Sequence, residues 1–305
     1  MKRLGARNGT RGRRSPGRVR KRALFFPAPG IAAACLLLSL LPSPAVRSQE
    51  ARGFVDPGGT TVAARFRAPA GTERPPVPGG SFAAYLRSLP LKPDGAPVRL
   101  YDGRAKPNHG IYAAVVDLPI GRRDLHQCAD ALIRLRAEYL FARRRFDDIR
   151  FRFTSGFLAE YSRWRRGERI VVRGSDVRWE RRGRPGDDPR SFWRYLETVF
   201  TYAGTASLAR ELTSVPEGEP EIGDIFIQPG HPGHAVIVVD AAVGPDGGRR
   251  VFLLAQSYMP AQEIQVLANP GDPRLSPWYA SDFGGTLRTP EWIFKATDRK
   301  RFIDE

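Results

Sequence analysis

The sequence predicts a single α+β domain over residues 81–305. Three observations predict it. Leu125, Cys128, Leu132, Leu135 and Tyr139 recur at helical spacing and form one apolar face. Residues 223–240, G-D-I-F-I-Q-P-G-H-P-G-H-A-V-I-V-V-D, hold two apolar runs around a turn dense in Gly and Pro. Residues 251–256 follow across a Gly-rich loop, 244–248, and pair naturally with residues 235–239 as a hairpin. Among these three the helix comes first and the strands follow it, which is an α+β order.

Ahead of that domain the chain reads as export machinery and tether. Residues 1–22 carry ten Lys and Arg and no acid, an apolar run ends at Leu41, and small residues follow to Ser48. A basic start, a short apolar middle and a small-residue end are the parts of a secretory signal or N-terminal anchor over residues 1–48. Its removal takes away eleven positive charges, so the formal charge of +17 falls to about +6. The strong basicity therefore belongs to the leader, and no nucleic-acid partner is expected. Residues 49–80, rich in Gly, Pro, Ala and Arg, read as a disordered linker. The protein is expected outside the cytoplasm, periplasmic or extracellular, touching a membrane only through an uncleaved leader.

Within the domain, Ser81 caps a short helix, and residues 98–101 and 111–118 read as strands. Asp124 is a plausible N-cap for the helix that carries Cys128 in its first turn. Residues 149–153 alternate as a strand with one wet face. Residues 157–166 read as a short aromatic helix, and 169–172 with 177–180 as a hairpin. Residues 191–202 and 205–212 are helical. Residues 225–228 and 235–239 are strands, the second apolar enough to be buried on both faces. Residues 264–267 and 292–295 complete the set, and 269–277 form a loop.

Two cysteines are present, and Cys35 leaves with the leader. Cys128 is then the only thiol of an exported chain, either packed and inert or kept for its chemistry. A helix N-terminus lowers a thiol pKa through its dipole and free amides. His234 opens a buried strand beside a turn, a position that suits a general base as well as a strand-ending histidine bonded to backbone. His231 and His234 stand three apart on a turn, and no carboxylate cluster accompanies them, so no metal is expected. A phosphate-binding Gly-rich loop followed by Lys-Ser or Lys-Thr is absent, so no nucleotide cofactor is expected either.

The order of these parts resembles the papain-like cell-wall hydrolases of the NlpC and CHAP type. Gly223-Asp224-Ile225-Phe226 and Gly233-His234-Ala235-Val236-Ile237 carry the likeness, with Cys128 opening a preceding helix. That resemblance implies a helix packed on an antiparallel sheet, with helical insertions. It also implies a nucleophile at Cys128, a base at His234 and a polar residue on the next strand that orients the imidazole. Gln256 is the first choice for that residue; Asn269 and Asp240 are second choices. A further resemblance spans residues 81–302. It rests on the phrases around Gln127-Cys128-Ala129-Asp130, Gly223-Asp224-Ile225-Phe226, Ala255-Gln256-Ser257-Tyr258 and Ser276-Pro277-Trp278-Tyr279, and on Thr289-Pro290-Glu291-Trp292. These look like the bacterial domain of unknown function family 4846, which implies an exported bacterial context and no established activity. His126 and His231 fall where that family's phrases admit other residues, so neither is a catalytic candidate.

Two functions follow as expectations. One is a cysteine hydrolase, an amidase or peptidase acting on peptidoglycan or an envelope peptide through Cys128, His234 and Gln256. The other is a non-catalytic envelope binding protein on the same scaffold. Trp164, Trp179, Trp193, Trp278 and Tyr279 are its candidate contacts, and the loop pair Trp278–Tyr279 is the best surface candidate among them.

Overall fold

The computed structural model describes residues 53–215 and 218–303, so the expected leader, residues 1–48, lies outside the described residues. The chain runs α1 (Val62–Arg65), α2 (Phe82–Arg87), β1 (Tyr112–Val115), α3 (Cys128–Ala142), β2 (Arg150–Arg152), β3 (Leu158–Glu160) and α4 (Tyr161–Arg165). It continues β4 (Glu168–Arg173), β5 (Asp176–Arg181), α5 (Pro189–Tyr202), α6 (Thr205–Glu211), β6 (Thr213–Ser214), β7 (Ile225–Gln228), β8 (His234–Val243) and β9 (Arg250–Gln256). The last elements are β10 (Gln265–Leu267), β11 (Tyr279–Ala280), β12 (Thr286–Arg288), β13 (Ile293–Lys295) and β14 (Arg299–Arg301).

Eight strands form one antiparallel sheet in the order β1-β10-β9-β8-β7-β14-β6, with β11 also paired to β9. Three two-stranded ribbons, β2-β3, β4-β5 and β12-β13, accompany it. The centre is the meander read from sequence: Ile225 lies opposite Ile237, and Ile237 opposite Ala255. Alternation splits its side chains between two cores. Ile225, Ile227, Ala235, Ile237, Val239, Leu253 and Ala255 face α3, which lays Ala129, Leu132, Ile133 and Leu140 into the same core. Phe226, Val236, Val238, Phe252 and Leu254 face the other way, onto Leu287 and Phe294 of the β12-β13 ribbon. Both faces of β8 are therefore covered, which is why its sequence is an almost unbroken apolar run.

These features overturn the expected papain-like fold class. The chain is dominated by antiparallel sheet, and a β ribbon instead of solvent closes the second face. Strong helical periodicity in residues 125–140 and 191–202 weighed toward a helix-on-sheet layout. The strands that enlarge the sheet and cover it, β6, β10, β11, β12 and β14, are two or three residues long and too short to show an alternating pattern.

Three further readings also change. Residues 53–80 are not a disordered linker: Val62, Arg65 and Phe66 are buried, and the Arg65 Nε–H donates to the Gly59 carbonyl at 2.8 Å. Composition misleads here because buried contacts from a few residues fix an otherwise Gly- and Pro-rich stretch. Residues 98–101 make isolated bridges, not a strand, and the first half of 157–166 is β3, not helix. Ser81 caps α2 as read, its Oγ accepting from Ala84 N–H at 3.1 Å.

A bulge between Val238 and Asp240 reverses the alternation of β8. Beyond it, Ala241 joins the ribbon side and Ala242 the helix side. Asp240 is thereby fully buried between Arg74 and Arg87, accepting from their Nε–H groups at 2.7 and 2.6 Å.

Candidate active site

Cys128 is the first residue of α3 and 7% exposed. Asp130, two residues on, accepts from the Gln127 N–H at 3.1 Å and so holds the start of the helix. Asp124, the expected N-cap, serves elsewhere: it accepts from the Ala261 N–H at 2.7 Å and from the Gln127 side chain at 3.1 Å. Burial pushes the Cys128 thiol up to about 11, and the Asp130 carboxyl adds to the rise. Backbone N–H groups of Ala129, Ala235 and Cys128 itself act the other way. The Ala235 amide sets the sulfur against the start of β8, one residue beyond His234. A cleft of about 440 Å³ opens there, walled by Cys128, Asp130, Phe200, Thr205, His231 and Met259.

His234 is the first residue of β8, paired with Gln228 and 1% exposed. Its ring lies among Tyr258, Trp292 and Phe294, with centroids 4.8, 5.3 and 5.9 Å away. Its Nε2 meets Gln256 Oε1 at 2.8 Å. The register explains the meeting: Gln256 ends β9 one position past Ala255, beside Val236, on the face that His234 shares. Burial lowers the imidazole to about 4, opposed by the Gln256 bond and helped by the Lys106 charge. Among the described residues no hydrogen bond reaches His234 Nδ1, and none joins the imidazole to the Cys128 thiol. Tyr258 is their shared neighbour: its phenol is pushed up by burial, then by Glu291 and Cys128.

The structure thus brings His234 and Gln256 into direct contact and sets Cys128 against the next residue of the strand. The second choices for the orienting residue fall away. Asp240 sits at the far end of β8 between two arginines. Asn269 organises the loop before β11, accepting from Gly271 and Asp272 N–H groups and donating to the Trp278 carbonyl at 2.9 Å. That loop is also where Trp278 and Tyr279 disappear from the surface. Trp278 is fully buried, with its indole N–H on the Arg67 carbonyl at 2.9 Å, and Tyr279 is 3% exposed. They offer no binding surface.

Reading residue types along the chain missed Glu291 and Lys106. Gln256 Nε2 donates to Glu291 Oε2 at 2.6 Å, and Lys106 Nζ reaches the same oxygen at 2.7 Å. Glu291 lies in the phrase Thr289-Pro290-Glu291-Trp292, and that phrase was the available signal.

The family described as domain of unknown function 4846 matches residues 62–301. The chain belongs to that family. In this 4846 domain the match begins at α1, in keeping with the buried residues found there. No curated protein and no solved structure matches the chain. No helix among the described residues of this 4846 domain is long and apolar enough to cross a membrane.

Two expected outcomes follow. In the ligand-free protein, alkylation of Cys128 climbs with pH through 8–10, because only the thiolate reacts and its pKa is raised. Asp130→Asn removes the carboxyl that adds to the rise and moves that climb to lower pH. A rate already level at pH 7 in the wild type would contradict the burial. The second outcome concerns His126, which is fully buried with its pKa lowered to about 3 by burial and by the Arg134 charge. The unfolded chain takes up a proton there as pH falls below about 6.5. The folded chain refuses it until about 3, so stability drains away across that window as pH falls. His126→Asn lowers the slope of unfolding free energy against pH between 6 and 4 by up to ~1.4 kcal/mol per pH unit. Urea unfolding at several pH values reads the slope, and identical slopes for both proteins would refute it.

Proposed function

We propose that the protein is an exported cysteine hydrolase, an amidase or peptidase that cleaves an amide bond in peptidoglycan or an envelope peptide. Cys128 is the nucleophile, His234 the base and Gln256 the residue that holds the base. The observation that carries this reading is the meeting, at one cleft, of Cys128 at the α3 N-terminus with the turn 230–233 that leads into β8, with the Ala235 amide acting on the thiol. Export rests on the basic and apolar leader.

Substrate enters the cleft, and a side-chain rotation brings the thiol to His234 Nδ1, a contact of the kind that tightens only when substrate binds. The S–H proton passes to Nδ1 as sulfur attacks the carbonyl carbon. First-turn amides of α3 stabilise the oxyanion. The C–N bond breaks, the amine leaves with the proton from Nδ1, and water hydrolyses the thioester. A neutral thiol and a neutral imidazole are a consistent resting state for this sequence, since the base must be unprotonated to begin.

A second reading is non-catalytic capture of an envelope peptide or glycan in the same cleft. The raised thiol pKa and the lack of a thiol–imidazole bond favour it. Incubating the protein with peptidoglycan fragments and short peptides separates the two. Mass spectrometry shows a new amine with wild type and none with Cys128→Ala if the hydrolase reading holds. Fragments that bind both proteins alike, without turnover, would leave the capture reading in its place.

A further inference from the structure

The polar chain behind His234 decides which of its ring nitrogens is the base. Glu291 Oε2 stands 2.7 Å from the Lys106 ammonium, which is 7% exposed and has only hydrogens to offer. The oxygen at that position is therefore an acceptor. Gln256 approaches the same oxygen at 2.6 Å, so the atom it presents is its NH₂. With its amide turned that way, fully buried Gln256 has its carbonyl oxygen facing His234. A carbonyl oxygen only accepts, so at 2.8 Å the imidazole Nε2 must carry the hydrogen. A neutral imidazole has one N–H, and once Nε2 holds it, Nδ1 is left with a free lone pair.

We infer that Glu291 and Lys106 are positioning residues that fix His234 as its Nε2–H tautomer and so assign the basic lone pair to Nδ1. Gln256 carries the instruction, because an amide that flipped would present NH₂ to the ring and demand the opposite tautomer. Lys106 reinforces it twice, by pairing with Glu291 and by packing over the Tyr258 ring at 5.5 Å, next to the imidazole. Catalytic use of that lone pair rests on the hydrolase reading; the tautomer does not.

Long-range ¹⁵N–¹H correlation on the ¹⁵N-histidine-labelled full chain reads the tautomer directly. The expected spectrum at pH 7 shows His234 Nε2 as a protonated ring nitrogen and Nδ1 as an unprotonated one. Glu291→Gln keeps this pattern, because the Lys106 ammonium still demands an oxygen at that place. Adding Lys106→Met frees both amides to turn, and the two nitrogen signals move toward a common averaged position. An Nδ1–H tautomer in the wild type overturns the inference, and this outcome needs no variant to fold. So does a double variant, folded by its amide spectrum, with unshifted signals. An Nε2–H tautomer in a protein with no hydrolytic turnover would remove the hydrolase reading alone. Turnover in a protein with the Nδ1–H tautomer would remove the inference alone.

Discussion

His234→Ala lowers kcat/KM for amide hydrolysis about 10²–10⁴-fold, the usual contribution of a positioned general base, and Cys128→Ala abolishes it. The loss in the His234 variant is expected mainly in kcat. The imidazole does not line the cleft and is packed among Tyr258, Trp292 and Phe294, so it adds little to ground-state binding. Activity is also expected to hold down to mildly acidic pH. Burial lowers the imidazole to about 4, and so it stays an unprotonated base well below the usual histidine range. Rates measured from pH 4 to 9 with a peptide cleaved by the wild type check both points. A His234→Ala rate within a factor of three of wild type would sink His234 as the base, whatever Cys128 does.

Asp240→Ala destabilises the domain by about 3–5 kcal/mol, because it leaves two partly buried arginines without their common, fully buried anion. Asp240 is fully buried, Arg87 is 11% exposed and Arg74 24% exposed. Each guanidinium has backbone acceptors as well: Arg87 reaches the Pro75 and Ala241 carbonyls at 2.8 and 3.0 Å, and Arg74 reaches the Phe66 carbonyl. The carboxylate thus ties residues 66–75 and α2 to the bulge of β8. Losing it releases the N-terminal segment as well as the ion pairs. Asp240→Asn keeps one acceptor and costs less. Urea denaturation with protease digestion as a second readout tests this. A loss under 1 kcal/mol, or cleavage sites unchanged near residue 75, would show that the segment is held by its apolar contacts alone.

The sequence read alone determined the α3 helix, the β7–β8–β9 meander and the membership of Cys128, His234 and Gln256 in these elements. Periodicity over ten residues or more carries that information, because it records which faces must avoid water. It also marked β8 as buried on both sides. What it left undecided was the identity of the covering layers. An apolar stripe is equally satisfied by a helix or by a ribbon, and Leu287 and Phe294 sit on strands of three residues with no readable alternation. The papain-like layout failed at that point. Val62 and Phe66 were hidden by the Gly- and Pro-rich composition around them, and Trp278 was misplaced because a loop position says nothing of what lies beneath it.

The site divides in the same way. His234 and Gln256 meet because the strand register puts them on one face, which hairpin spacing suggested and backbone pairing settled. Glu291 and Lys106 lie 35 and 150 residues from Gln256 along the chain, and only the folded sheet brings them to one oxygen. Local sequence specifies elements through short-range sterics and burial pattern. Polar networks such as this one depend on long-range packing that leaves no periodic trace, so tertiary structure alone decided which nitrogen of His234 is free.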